Sequence, residues 1–110
     1  MKIYISGAIS NNPDYKDDFA KAESFLKREY PQAEIFNPVT WTQQQFRAPE
    51  EMAWADLMLA LLNELNDGSF THLYAMSNSI YSLGACIEYE FAKKIGLTII
   101  RNFSIATIVG

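Results

Sequence analysis

Glu88 is the residue whose type and placement most invite chemistry. On a helical wheel at roughly 100° per residue, Gly84, Ala85, Phe91, Ala92 and Ile95 fall within about 60° of it. Glu90, Lys93 and Lys94 fall on the far side. Glu88 therefore sits in the middle of an apolar stripe, where an unpaired carboxylate is costly. Two features lower that cost. The residue lies near the start of its helix, where the dipole and free N–H groups favour an anion. It also faces the edge at which a ligand cleft belongs. A carboxylate so placed is a candidate for the centre of a functional site. The bland alternative is a Glu that caps a loop amide or pairs with a basic side chain.

Ser82-Leu83-Gly84 precedes it. Ser is a natural N-cap, and Gly permits close approach of backbone or ligand. The hydroxyl and the N–H groups that follow could hold a phosphate or a sugar hydroxyl, or Ser82 could simply cap an ordinary helix.

The elements that must position these residues follow from patterning. Lys2 to Ile5 reads as a strand running into Ser6-Gly7. Asn12-Pro13 predicts a helix start, with Tyr15, Phe19, Ala22 and Leu26 on its buried face and Pro31 after its end. Ala33 to Phe36 reads as a second strand closed by Asn37-Pro38. Val39 to Ala48, polar with Trp41 and Phe46, is expected to be a loop that shapes a site. Pro49-Glu50-Glu51 opens a predicted helix to about Asn66, ended by Asp67-Gly68. Its apolar residues (Trp54, Leu57, Met58, Leu59, Leu61, Leu62, Leu65) cover more than one face, so either another subunit or the chain's own loops must cover the second side. Thr71 to Met76 is a third strand, Ser77 to Leu83 a loop, and Gly84 to Ile95 a helix with Gly96 at C′. Leu97 to Ile100 is a fourth strand. Phe103 to Val109 is expected to form a fifth strand or a packing arm.

Alternation of strand and helix predicts an α/β fold with a parallel sheet of four to five strands and helices on both faces. Ligands in such folds bind beyond the carboxyl ends of the strands. The site is therefore expected from Ser6 to Asn12, Asn37 to Ala48 and Ser77 to Leu83.

Composition bounds the rest. The 110 residues predict a single domain spanning 1–110, and 49% of them are hydrophobic. A domain of this size would gain from forming a homo-oligomer. Nine Lys and Arg against 13 Asp and Glu give a net charge of −4, which argues against duplex nucleic acid as a partner. One Cys and one His argue against an intrachain disulfide and a structural zinc site. No apolar run reaches the length of a membrane span, and the N-terminus has no signal-peptide layout, so a soluble cytoplasmic protein is expected. Cys86 reads as a small packed residue, His72 as structural or exposed at a strand start, and Trp54 as core or interface.

Taken together, these residues resemble a known family. Ser82-Leu83-Gly84-Ala85-Cys86-Ile87-Glu88 is similar to the signature of the nucleoside 2-deoxyribosyltransferase superfamily, which includes 2′-deoxynucleoside 5′-phosphate N-hydrolases and small relatives of the DUF4406 type. Ile3-Tyr4-Ile5-Ser6-Gly7-Ala8-Ile9 is similar to their first strand and loop, Phe36-Asn37-Pro38 to the end of their second strand, and Ala92 through Gly96 to Ile100 to their closing segment. The resemblance implies a flavodoxin-like three-layer sandwich and chemistry at an N-glycosidic bond, without metal or other cofactor. Glu88 would be the nucleophile. Ser6, Gly7, Ala8, Asn37, Trp41, Ser82, Gly84 and Ala85 would line a nucleoside or nucleotide. Tyr4, pointing opposite to Ile3 and Ile5, is expected to lie too deep to reach it. The chain departs from the pattern at Thr71, where relatives often carry Asp, and at Ser77-Asn78-Ser79, where they often carry Pro-Gly-Trp. These departures favour a rival reading, a non-catalytic nucleotide-binding protein of the same fold. The apolar second helix and tail suggest a third, a purely structural assembly protein.

Overall fold

The computed structural model describes residues 1–101. Four strands, β1 (Lys2–Ser6), β2 (Glu34–Phe36), β3 (His72–Ala75) and β4 (Thr98–Arg101), form one sheet in the order β2-β1-β3-β4. Every neighbouring pair is parallel. Four helices connect and cover the strands: α1 (Tyr15–Glu29), α2 (Pro38–Gln45), α3 (Trp54–Asp67) and α4 (Leu83–Lys94). Short 3₁₀ turns at Pro49–Glu51 and Ser77–Tyr81 precede α3 and α4. The result is the expected flavodoxin-like three-layer α/β fold. The strand order reverses between β1 and β3, the place where such sheets leave a crevice for ligands. The predicted arm at Phe103 to Val109 lies outside the described residues.

Two hydrophobic clusters hold the layers. On one face Ile3, Ile5 and Tyr74 meet Tyr15, Phe19, Ala22 and Leu26 of α1. On the other Tyr4, Leu73 and Ala75 meet Leu65 of α3 and Ala92 of α4. Strand parity enforces the division, since residues two apart share a face. Tyr4 and Ser6 consequently point toward α3 and α4.

Three segments differ from their sequence-based reading. Helix α1 starts at Tyr15, after Asn12-Pro13. Asn12 is spent on the loop: its amide donates to the Ala8 carbonyl (2.9 Å) and to Asp18 (3.0 Å), and its oxygen accepts from the Asp14 N–H (3.2 Å). The expected loop from Val39 to Ala48 is largely helix α2, capped by Asn37, whose oxygen accepts from the Val39 N–H (2.9 Å), with Pro38 at the first position. Only Pro38, Val39 and Thr42 of that helix are buried, so it carries no apolar period to read. Helix α3 begins at Trp54, because Pro49–Glu51 closes as a separate turn and Met52 and Ala53 are extended. Its inward stripe is Leu57, Met58, Leu61 and Leu65, while Leu59 is 62% exposed. Gly96 adopts φ +92 after α4, the left-handed C′ geometry expected of it. Ile95, placed on the buried stripe by the wheel, is exposed where the helix ends.

Candidate active site

Strand β1 and helix α4 together build the centre. Ser82 caps α4 by accepting the Ala85 N–H at 3.2 Å. Gly84 lets α4 lie against α3, because a Cβ there would come within 2.9 Å of Met58 Sδ and 3.7 Å of Trp54 Nε1. One turn later Glu88 enters the interior, 4% exposed. Among the described residues neither a loop amide nor a basic side chain receives it. Tyr4 donates its hydroxyl proton to Oε2, and Ser6 donates its own to Oε1 at 2.8 Å. Both donors are fully buried, on the face of β1 that α4 covers.

The electrostatics are those of a carboxylate kept from water. Burial pushes Glu88 from an ordinary 4.5 up to about 7, against the lowering effect of the Tyr4 and Ser6 hydrogen bonds. Tyr4 is raised well above its usual value by burial, then by the charge and hydrogen bond of Glu88, and by Glu64 of α3. Glu88 thus changes charge near neutrality, while Tyr4 keeps its proton. A carboxyl group poised there can be a nucleophile when ionised or an acid when protonated.

The other sequence-predicted residues divide. Ser6 joins Glu88 directly. Gly7 and Ala8 continue from it into the loop, where the Ala8 N–H donates to Asn78 Oδ1 at 3.2 Å and a Cβ on Gly7 would overlap Met76. Ser82, Gly84 and Ala85 form the first turn of α4. Asn37 is committed to the fold, capping α2 and donating to Glu23 at 3.0 Å. Trp41 lies against Phe36 (ring centroids 5.6 Å apart) and Phe46 (5.7 Å). Phe36 in turn stacks on Tyr4 at 5.2 Å, so Trp41 reaches the centre through an intervening ring. Thr71 bonds to both backbone groups of Lys2, at the amino end of the sheet. The residue at that position therefore bears little on this centre.

Sequence reasoning expected Tyr4 to lie too deep to reach a ligand, and Tyr4 is fully buried; what the sequence reading missed is its bond to Glu88. Parity held the signal: Tyr4 shares a face with Ser6. It also missed the bridge in which Asn78 and Asn12 both donate to Asp18, at 3.4 Å and 3.0 Å, tying the loop after β1 to the turn after β3. Among the described residues no group of three His, Cys, Asp or Glu is arranged to hold a metal ion.

Fold and centre define a class: a flavodoxin-like α/β protein with a buried, hydroxyl-bound carboxylate at the reversal of strand order. The chain belongs to the family described as a domain of unknown function (DUF4406), whose model matches residues 1–101. Neither a curated protein nor a solved structure matches it.

Proposed function

We propose that the protein cleaves or transfers across the base–sugar bond of a nucleoside or nucleotide, as an N-glycosidase or deoxyribosyltransferase-like enzyme related to the nucleoside 2-deoxyribosyltransferases. The observation that carries this reading is Glu88 itself: buried, held by the Tyr4 and Ser6 hydroxyls, at the carboxyl edge of β1 and β3. Ionised Glu88 attacks C1′ of the sugar. The glycosidic C–N bond breaks, the base leaves with its electron pair and takes a proton from solvent, and an ester joins the sugar to Glu88. Water, or a second base, then attacks C1′, losing a proton and returning the carboxylate. This is the logic of retaining glycosidases, in which one carboxylate is the nucleophile. Tyr4 and Ser6 aim the carboxylate and hold its charge, and Ser82 with the first N–H groups of α4 receives the 5′ end of the substrate.

The test is incubation with deoxynucleosides and their 5′-monophosphates, with free base followed by chromatography. Release is expected from the wild type, and Glu88→Gln should lower it at least about a thousandfold. A nucleotide-binding protein without turnover is the second reading, favoured by one observation: among the described residues, no second carboxylate bonds to Glu88. Tight binding by calorimetry with no base released from any substrate would establish it. We propose further that the working form is a homo-oligomer, in which Leu59 of α3 and Leu83 at the start of α4, 62% and 68% exposed, face another copy.

A further inference from the structure

A cavity of about 610 Å³ lies between the β1–α1 loop and the approach to α3, lined in part by Ile9, Asn11, Glu50, Met52, Trp54 and Leu57. Its volume suits a small organic ligand, for which sites run to about 300–1,000 Å³. Two observations place it in the neighbourhood of Glu88, which does not itself line it. The loop enters the cavity at Ile9, three residues beyond Ser6, whose hydroxyl bonds Glu88. On the other side Trp54 abuts α4 at Gly84, one turn before Glu88.

The lining has a definite chemistry. Trp54, Leu57, Met52 and Ile9 supply apolar surface, and Trp54 is 43% exposed. An exposed indole beside a cleft is a platform for a flat heterocycle. The ionised group on the wall is Glu50, an acceptor held by the Tyr15 hydroxyl and by Lys16 at 3.7 Å, and itself half exposed. Among the described residues no Lys, Arg or His lines the cavity. A phosphate there would meet a carboxylate whose neighbouring cation, Lys16, is already paired with it, whereas the N–H groups of a base edge would meet an acceptor.

We infer that this cavity receives the nucleobase, with Trp54 as its stacking wall and Glu50 accepting from the N–H groups of its edge. The inference rests on the reading of Glu88 as the centre of a nucleoside site, and it orients the substrate. The base lies toward α1 and α3, and C1′ lies at Glu88.

Binding of free adenine and free cytosine, measured by calorimetry, tests it without requiring turnover. Wild type is expected to bind both. Trp54→Ala should weaken binding about tenfold or more, Trp54→Phe should retain most of it, and Glu50→Gln should weaken it about tenfold. Inorganic phosphate should not compete. No binding of free base, undiminished binding in both Trp54→Ala and Glu50→Gln, or competition by phosphate would each overturn the assignment. Should Trp54→Ala fail to fold, Glu50→Gln, at an exposed position, decides alone. Base release from deoxynucleosides, assayed in parallel, separates the two readings. Release that persists unchanged in both variants removes the base pocket and leaves the Glu88 chemistry. Base binding that depends on Trp54, without release, removes the chemistry and leaves the pocket.

Discussion

At the scale of the residue, one ionisation of Glu88 bears on stability and on the proposed activity alike. Its folded-state value of about 7 lies above the ordinary 4.5, so the folded protein binds this proton more tightly than the unfolded chain. Stability from the neutral form is complete below about pH 4.5 and declines as pH rises to about 7; beyond that, burying the charge costs roughly 3 kcal/mol. Glu88→Gln is therefore expected to raise Tm clearly at about pH 8 and to change it little at about pH 4. Thermal melts of both proteins across that range check this, and equal displacements at both ends would contradict it. Activity should run the opposite way, rising with pH through about 7 as the nucleophile ionises. Tyr4→Phe and Ser6→Ala each delete a bond that favours the charged form, so the acidic limb of the rate profile should move to higher pH in both. Each should also cost about 1–3 kcal/mol, by leaving a buried oxygen unpaired.

Capping bears on where the elements begin. Asn-Pro occurs twice before a helix, with opposite outcomes. Asn37-Pro38 starts α2 directly, with the Asn37 oxygen taking the Val39 N–H. The Asn12 oxygen takes the Asp14 N–H in the same pattern, yet α1 begins only at Tyr15, after Asp14 at φ −97 and ψ 15. The dipeptide and its local bond are the same, so that bond by itself does not set where the helix starts. Ser82 shows the local rule working unopposed. Ser82→Ala should destabilise the protein by about 1 kcal/mol, and Ser82→Gly by a few tenths, in denaturant melts. A loss of nucleotide affinity in Ser82→Ala much greater than in Ser82→Gly would point to the hydroxyl itself as a ligand group.

For the whole molecule, the sheet order sets where the candidate site lies and leaves Leu59 and Leu83 exposed. No described helix is long and apolar enough to cross a membrane. The outward residues of α3 and α4, Leu59 and Leu83, are where the proposed oligomer would make contact. Leu59→Glu is expected to shift the mass in light scattering toward the monomer while leaving the circular dichroism spectrum unchanged. A wild-type protein that is already monomeric at high concentration would remove the oligomer reading.

The alternation of apolar strands with amphipathic helices was enough, from sequence, to predict a parallel α/β sheet, because periods of two and 3.6 are local properties of the chain. The same periodicity separated Glu88 from Glu90 and placed it on the inward stripe. Local pattern could not say what Glu88 would meet there. Its partners come from a strand more than eighty residues earlier in the chain, and only the pairing of β1 beside β3, under α4, brings them together. Tyr4 is as deep as its place in the strand implies; what the local pattern does not show is that the carboxylate descends into the interior to meet it. Thr71 likewise has its place from the register of the sheet, which puts it against Lys2 at the amino end. The polar run after Pro38 showed no period, and so its helix was legible only through tertiary contacts and the Asn37 cap. Periodicity fixes which way a residue faces; the packing of distant segments decides what it faces, and the chemistry of Glu88 depends on the second.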